Sequence, residues 1–187
     1  AMLQATFACN RLHASALADA NAELAAIRKA VASGETLDDL GAKADEVLSD
    51  AAAKFSAGAP SADDEIAALY AAKAEELEAA LLTTVEPIYV KALAQLKENA
   101  LDDFKKNIVG ADDVSDAMNA AEARFVKQAQ ACVPSRTGWG YKAERASLVG
   151  VMEAIRTQSK KANAAKQAAQ QQINTAMQYL QLQSQQM

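Results

Sequence analysis

Apolar residues recur at every third or fourth position along most of the chain, and the interruptions divide it into five predicted helices. The first runs from about Met2 to Ser33, with Gly34 as its stop. Its seam reads Leu3, Phe7, Asn10, Ala14, Leu17, Asn21, Leu24, Arg28 and Val31, a coiled-coil-like stripe with polar layers that would fix register. Thr36-Leu37-Asp38-Asp39 resembles a capping box and opens the second helix. That helix carries Leu37, Leu40, Ala44, Val47, Leu48, Ala51 and Phe55, and closes at Ser56-Ala57-Gly58-Ala59-Pro60.

Ser61-Ala62-Asp63-Asp64 repeats the cap pattern ahead of a third helix. Its apolar positions are Ile66, Leu69, Tyr70, Leu77, Leu81, Val85, Ile88, Leu96, Phe104 and Ile108. Unbroken to Val109, it would hold about 48 residues and span about 72 Å. Pro87 interrupts its middle. Because the apolar pattern resumes at once, a kink near Thr83–Pro87 is expected rather than an end. Gly110, Asp112 and Asp113 introduce a fourth helix to about Cys132, with Val114, Met118, Ala121 and Phe125 on one face. Pro134 to Gly140 forms a turn, with Trp139 expected as its buried plug. A last helix starts near Tyr141. Its stripe Leu148, Val151, Met152 and Ile155 is expected to dock. A second stripe, Ile173, Met177 and Leu180, lies beyond a polar gap in a Gln-rich tail expected to be mobile or dimer-forming.

Composition supports an all-α fold. Apolar residues make up 51 %, many of them alanine, and aromatics only 5 %, with 7 Gly and 3 Pro. Runs of β-branched residues are missing. Many small side chains and few large ones suit long antiparallel helices in an elongated bundle better than a compact globule.

Charge changes the picture in one respect. The net charge is −5, which argues against nucleic acid as a partner. Residues 1–141 hold 13 Lys and Arg against 22 Asp and Glu, whereas residues 142–187 hold 6 against 2. The basic tail could lie along the acidic helices, or it could meet an anionic partner or lipid. Two distant cysteines, Cys9 and Cys132, suggest no disulfide framework and a reducing, cytoplasmic setting. No apolar run is long enough to span a membrane, and the start lacks the pattern of a signal peptide. Ala1-Met2 is compatible with a cloning remnant ahead of a piece of a longer protein.

Candidate chemistry is sparse. His13 is the single histidine, so clustered metal ligands are not expected, and a surface position suits it best. Cys9 lies one helical turn before His13, a nucleophile–base spacing that also arises by chance, and no oxyanion hole accompanies it. Cys132 reads as a packed residue at a helix end. Thr137-Gly138-Trp139-Gly140-Tyr141-Lys142 lacks the spacing and the preceding strand of a phosphate-binding loop. Glu75-Glu76 and Asp102-Asp103 read as solvated faces. The chain is therefore expected to carry no catalytic residue, cofactor or metal site.

Met2-Leu3-Gln4-Ala5-Thr6, with Asn10 shortly after, resembles the start of the helical middle domain of atlastins, which group with guanylate-binding proteins among the dynamin-like GTPases. The spacing of Leu37, Leu40, Ala51 and Phe55, and then of Tyr70, Leu77, Glu78 and Tyr89, is similar to that three-helix domain over about residues 2–90. The second half departs from atlastins, which have a membrane hairpin soon after the bundle. It is more like the longer stalks of guanylate-binding proteins or of the plant and yeast fusion GTPases of the endoplasmic reticulum. The resemblance implies a division into a three-helix middle domain, residues 1–109, and a stalk extension, residues 110–187.

It also implies a mechanical role. A preceding GTPase domain, with GTP and Mg bound in the parent protein, would dimerise. The stalks of the two molecules in that homodimer would then be drawn side by side, so that lipid bilayers are tethered or fused, with the endoplasmic reticulum membrane as the implied setting. The residues assigned to this task are Leu3, Phe7 and Leu17, packing against the head or bundle, Pro87 as a bend, and Trp139 at the corner. The competing expectation is a free-standing scaffold or adaptor that binds partner helices.

Overall fold

The computed structural model describes residues 2–35, 38–61, 63–111 and 113–185. These form five helices: α1 (Met2–Ala32), α2 (Leu40–Ala57), α3 (Asp64–Asn107), α4 (Ser115–Cys132) and α5 (Lys142–Gln185). Among the described residues there is no strand. α3 and α5 each hold 44 residues, which at 1.5 Å per residue gives about 66 Å apiece.

Local signals explain most boundaries. Gly34 takes φ +90° after α1. Its N–H donates to the Val31 carbonyl and that of Glu35 to the Ala30 carbonyl, the paired bonds of a Schellman stop. α3 is capped by Asp63, whose Oδ1 accepts the N–H of Ile66 at 3.1 Å. The cap is thus Asp63 rather than Ser61, two residues later than the sequence pattern suggests. The expected cap residues Thr36 and Asp112, and the apolar Leu37, lie outside the described residues. Asp113 Oδ1 accepts the N–H of Ser115 at 2.9 Å just before α4.

α3 is the axis of the bundle. α1 runs parallel to it, Cys9 lying near Lys73 and Glu76 at one end and Gly34 near Gln95 at the other. α2 runs back between them, pairing Lys54 with Asp19 and bringing Phe55 against His13 and Tyr70. α4 returns along the C-terminal half of α3, where Arg124 pairs with Asp103. α5 then packs against both, with Arg145 Nε on Glu122 at 2.7 Å and Lys97 Nζ on Ser147 Oγ at 3.4 Å. One apolar core runs through all five helices, from Cys9 and Leu24 through Phe55, Leu81 and Phe104 to Phe125, Leu148 and Met152.

Two expectations about faces need correction. In α1 the buried positions are Cys9, Ala16, Ala20, Leu24 and Val31. Leu3, Phe7, Asn10, Ala14, Asn21 and Arg28 are all exposed. Two of the five buried residues of α1 are alanines, whose small side chains let the helix approach its neighbours closely, and a stripe chosen for large residues misses them. In α5, Leu148 and Met152 are fully buried and Ile155 partly so, but Val151 is 40 % exposed. α5 also outruns the bundle. Asp113, at the α3–α4 turn, lies beside Arg156 and Lys160, and every residue from 164 to 185 is exposed. That stretch projects about 33 Å beyond the last contacts.

Candidate functional site

The α4–α5 corner is the most structured loop. Pro134 is fully buried. Asp45 of α2 takes the Ser135 N–H on both carboxylate oxygens, at 3.1 and 2.9 Å, and Arg136 donates to Ser49 Oγ at 3.2 Å. Trp139 is half-buried rather than the fully buried plug expected. Its ring sits 5.2 Å from that of Tyr89, whose hydroxyl donates to the Gly140 carbonyl at 3.0 Å. Burial, with Glu144 adding to it, pushes the Tyr89 phenol up to about 12. A second tie needs no side chain. A Cβ at Gly41 would stand 2.4 Å from the Val133 carbonyl oxygen, so α2 and the end of α4 touch through backbone.

Pro87 sits on the exposed side of α3, and the helix runs through it without a break. The proline leaves the Thr83 carbonyl without its intrahelical donor. Thr83 is also exposed, so water can take that role.

His13 departs from the surface position expected of it. The ring packs edge-on against Phe55 at 6.5 Å, and its buried Nε2 has no hydrogen-bond partner. Cys9, one turn earlier, is fully buried. Burial raises its thiol above the ordinary value, with Lys73 opposing weakly. Glu76 is held low by its bond to Lys73. A thiol pushed away from the thiolate and sealed from solvent is a poor nucleophile, so the Cys9–His13 spacing reflects packing. Cys132 is likewise buried, and burial near Asp38 and Asp39 pushes it up to about 11. Among the described residues no three His, Cys, Asp or Glu side chains gather as metal ligands. The groove between Asp38, Arg124, Lys127 and Gln128 is open to solvent, and Arg124 there is already paired with Asp103.

Groups of large exposed apolar side chains lie at the two ends of the molecule. At one end the start of α1 exposes Met2, Leu3 and Phe7, the last two by 71 % and 68 %. Leu17, expected on the same face, instead packs partly on the core. At the opposite end the free part of α5 exposes Ile173, Met177, Tyr179, Leu180 and Leu182. Sequence reasoning found the α5 stripe from its spacing. It placed Leu3 and Phe7 against either the head or the bundle; they do not pack on the bundle, because exposure depends on where α2 and α3 begin. No helix among the described residues is long and apolar enough to cross a membrane.

An elongated all-α bundle with large exposed apolar side chains near both ends has the form of a stalk. Residues 38–180 match the model of the Sey1 three-helix bundle domain, and the chain belongs to that family of atlastin-like dynamin GTPases. The match takes in α2, α3, α4 and most of α5. It leaves α1, and with it the Met2–Thr6 pentapeptide, outside. Comparison with curated proteins and with solved structures found no match.

Proposed function

We propose that this chain is the lever of a membrane-remodelling GTPase. It would couple GTP-driven dimerisation of a preceding GTPase domain to the tethering or fusion of membranes, at the endoplasmic reticulum in the setting the family suggests. GTP and Mg would belong to that preceding domain. The observation that carries the reading is the family match over residues 38–180, on a bundle with one uninterrupted core. A continuous core is what a lever needs, because force applied at one end is transmitted only if the elements between do not slip.

In this reading Leu3 and Phe7 are the seat of the GTPase domain, Pro87 sets the curvature of α3, and the Trp139 corner locks α5 to it. The free face of α5 favours a second reading, a scaffold that binds partner helices. The parent protein separates the two. With Leu3→Asp and Phe7→Asp it should still hydrolyse GTP but lose GTP-dependent lipid mixing between vesicles. Unchanged lipid mixing, or a parent reading frame without a GTPase domain, would overturn the lever reading.

A further inference from the structure

The seam that docks α5 onto the bundle does not stop where the bundle stops. Leu148 and Met152 are buried, and Ile155 partly buried, against α3 and α4 at alternating spacings of four and three. The same register continues as Ser159, Ala162, Lys166, Ala169, Ile173, Ala176, Leu180 and Gln183. Past position 163 nothing covers it, and Ile173 and Leu180 stand 52 % and 64 % exposed.

Charge narrows the occupant. Residues 167–185 contain no ionisable acid or base apart from the Tyr179 phenol. The cationic residues Arg156, Lys160, Lys161 and Lys166 all precede the large apolar ones. A helix that lies on anionic lipid sets lysines and arginines along the flanks of its apolar face, and this one has none there. A helix that pairs with itself must avoid like charges facing each other, and an uncharged flank meets that need.

Size decides orientation. From Lys166 to Leu180 the uncovered seam alternates a longer residue with a short one (Lys166, Ala169, Ile173, Ala176, Leu180), and the polar Gln183 follows. In a parallel, in-register pair, Ile would meet Ile and Ala would meet Ala. Wide and narrow layers would alternate, and Lys166 would face its own copy. In an antiparallel pair centred between residues 174 and 175, Ile173 meets Ala176, Leu180 meets Ala169 and Lys166 meets Gln183. The four central apolar layers then have similar volume, which close packing rewards, while the Lys166–Gln183 layers are polar ends and the lysines are far apart.

We propose that the free segment of α5 is a self-pairing helix, and that two copies of this chain join antiparallel along Lys166–Gln183 with their bundles at opposite ends. This goes beyond the lever reading and does not depend on it. It places the two bundles apart, whereas the resemblance implies stalks side by side.

The test is the mass of the full chain by sedimentation and light scattering, followed by cross-linking. The expected result is a dimer of the 19.7 kDa chain that Ile173→Asp with Leu180→Asp converts to monomer, while the melting temperature of the bundle stays the same. Under oxidation, Lys166→Cys combined with Gln183→Cys should cross-link, and Lys166→Cys alone should not. The native Cys9 and Cys132 are buried and should stay silent. A monomer at all concentrations, a dimer that survives the double aspartate variant, or ready cross-linking of Lys166→Cys alone would each overturn the proposal. So would a monomeric chain that pellets with phosphatidylserine vesicles and is released by Leu180→Asp, which would assign the seam to lipid.

Discussion

Tyr89 of α3 and Trp139 of the α4–α5 corner stack with ring centroids 5.2 Å apart and planes inclined by 33°. The Tyr89 hydroxyl also reaches past the indole to the Gly140 carbonyl at 3.0 Å. One residue therefore contributes packing and a hydrogen bond to the joint that sets the path of α5. Tyr89→Phe keeps the stack and removes the bond. It should cost about 1 kcal/mol, read as a lower urea midpoint followed by the fluorescence of this single tryptophan. No change in midpoint would mean that the Gly140 carbonyl is satisfied by water.

Stability should fall on the alkaline side. The Cys132 thiol is pushed up from 9.0 to about 11 and the Tyr89 phenol from 10.0 to about 12, both first by burial. Both groups stay protonated in the fold at pH values where they would ionise in the unfolded chain. The unfolded state then binds fewer protons, so stability drops as pH rises, beginning near 9 and continuing through about 12. Urea midpoints at pH 8 and pH 10.5 measure this, and Cys132→Ala should flatten the earlier part of the decline. An equally steep decline in that variant would remove Cys132 as the cause.

Gly41 should not tolerate alanine. In an exposed helix interior Gly→Ala gains about 1 kcal/mol. Here the added Cβ would meet the Val133 carbonyl oxygen at 2.4 Å and the Ala131 carbonyl oxygen at 2.9 Å, both backbone atoms that cannot swing aside. The expected outcome is a net loss of about 1–3 kcal/mol, as for other overpacked sites. A more stable Gly41→Ala would show that α2 and α4 can separate freely.

Pro87→Ala should act in the opposite sense. α3 is continuous through Pro87, so alanine restores the bond to the Thr83 carbonyl without moving a buried group. A gain of up to about 3 kcal/mol is expected, with a higher melting temperature. If the lever reading holds, removal of the proline should also lower GTP-dependent lipid mixing by the parent protein. A loss of stability would mean that the proline itself is needed for packing.

Truncation after Lys161 should leave the bundle's melting temperature nearly unchanged, within about 0.5 kcal/mol, since residues 164–185 touch nothing within one chain. Helical signal in circular dichroism should fall in proportion to the residues removed. For the intact chain, small-angle scattering should give a radius of gyration well above the roughly 16 Å of a compact chain of this length. A large drop in melting temperature would show that the tail is part of the core.

The helices of this protein were legible in its sequence because their signals are local. A glycine at positive φ after Val31, a turn from Pro134 to Gly140, and the apolar spacing of Leu40, Ala44, Val47, Leu48, Ala51 and Phe55 each act within a few residues. All of that α2 stripe is buried. The all-α class follows from such patterns. What the sequence could not express is where each helix's neighbours begin and end. Leu3 and Phe7 look like core and lie in solvent, while Ala16 and Ala20 look indifferent and lie in the core, because burial at an α-helical contact depends on how close the next backbone comes. Gly41 needed Val133, ninety-two positions on, to show its reason. His13 needed Phe55. The stripe along α5 was readable throughout, but only the tertiary structure decided that its first half is covered and its second is free. Periodicity reports which face of a helix can be buried, and the length of the partners beside it determines how much of that face is.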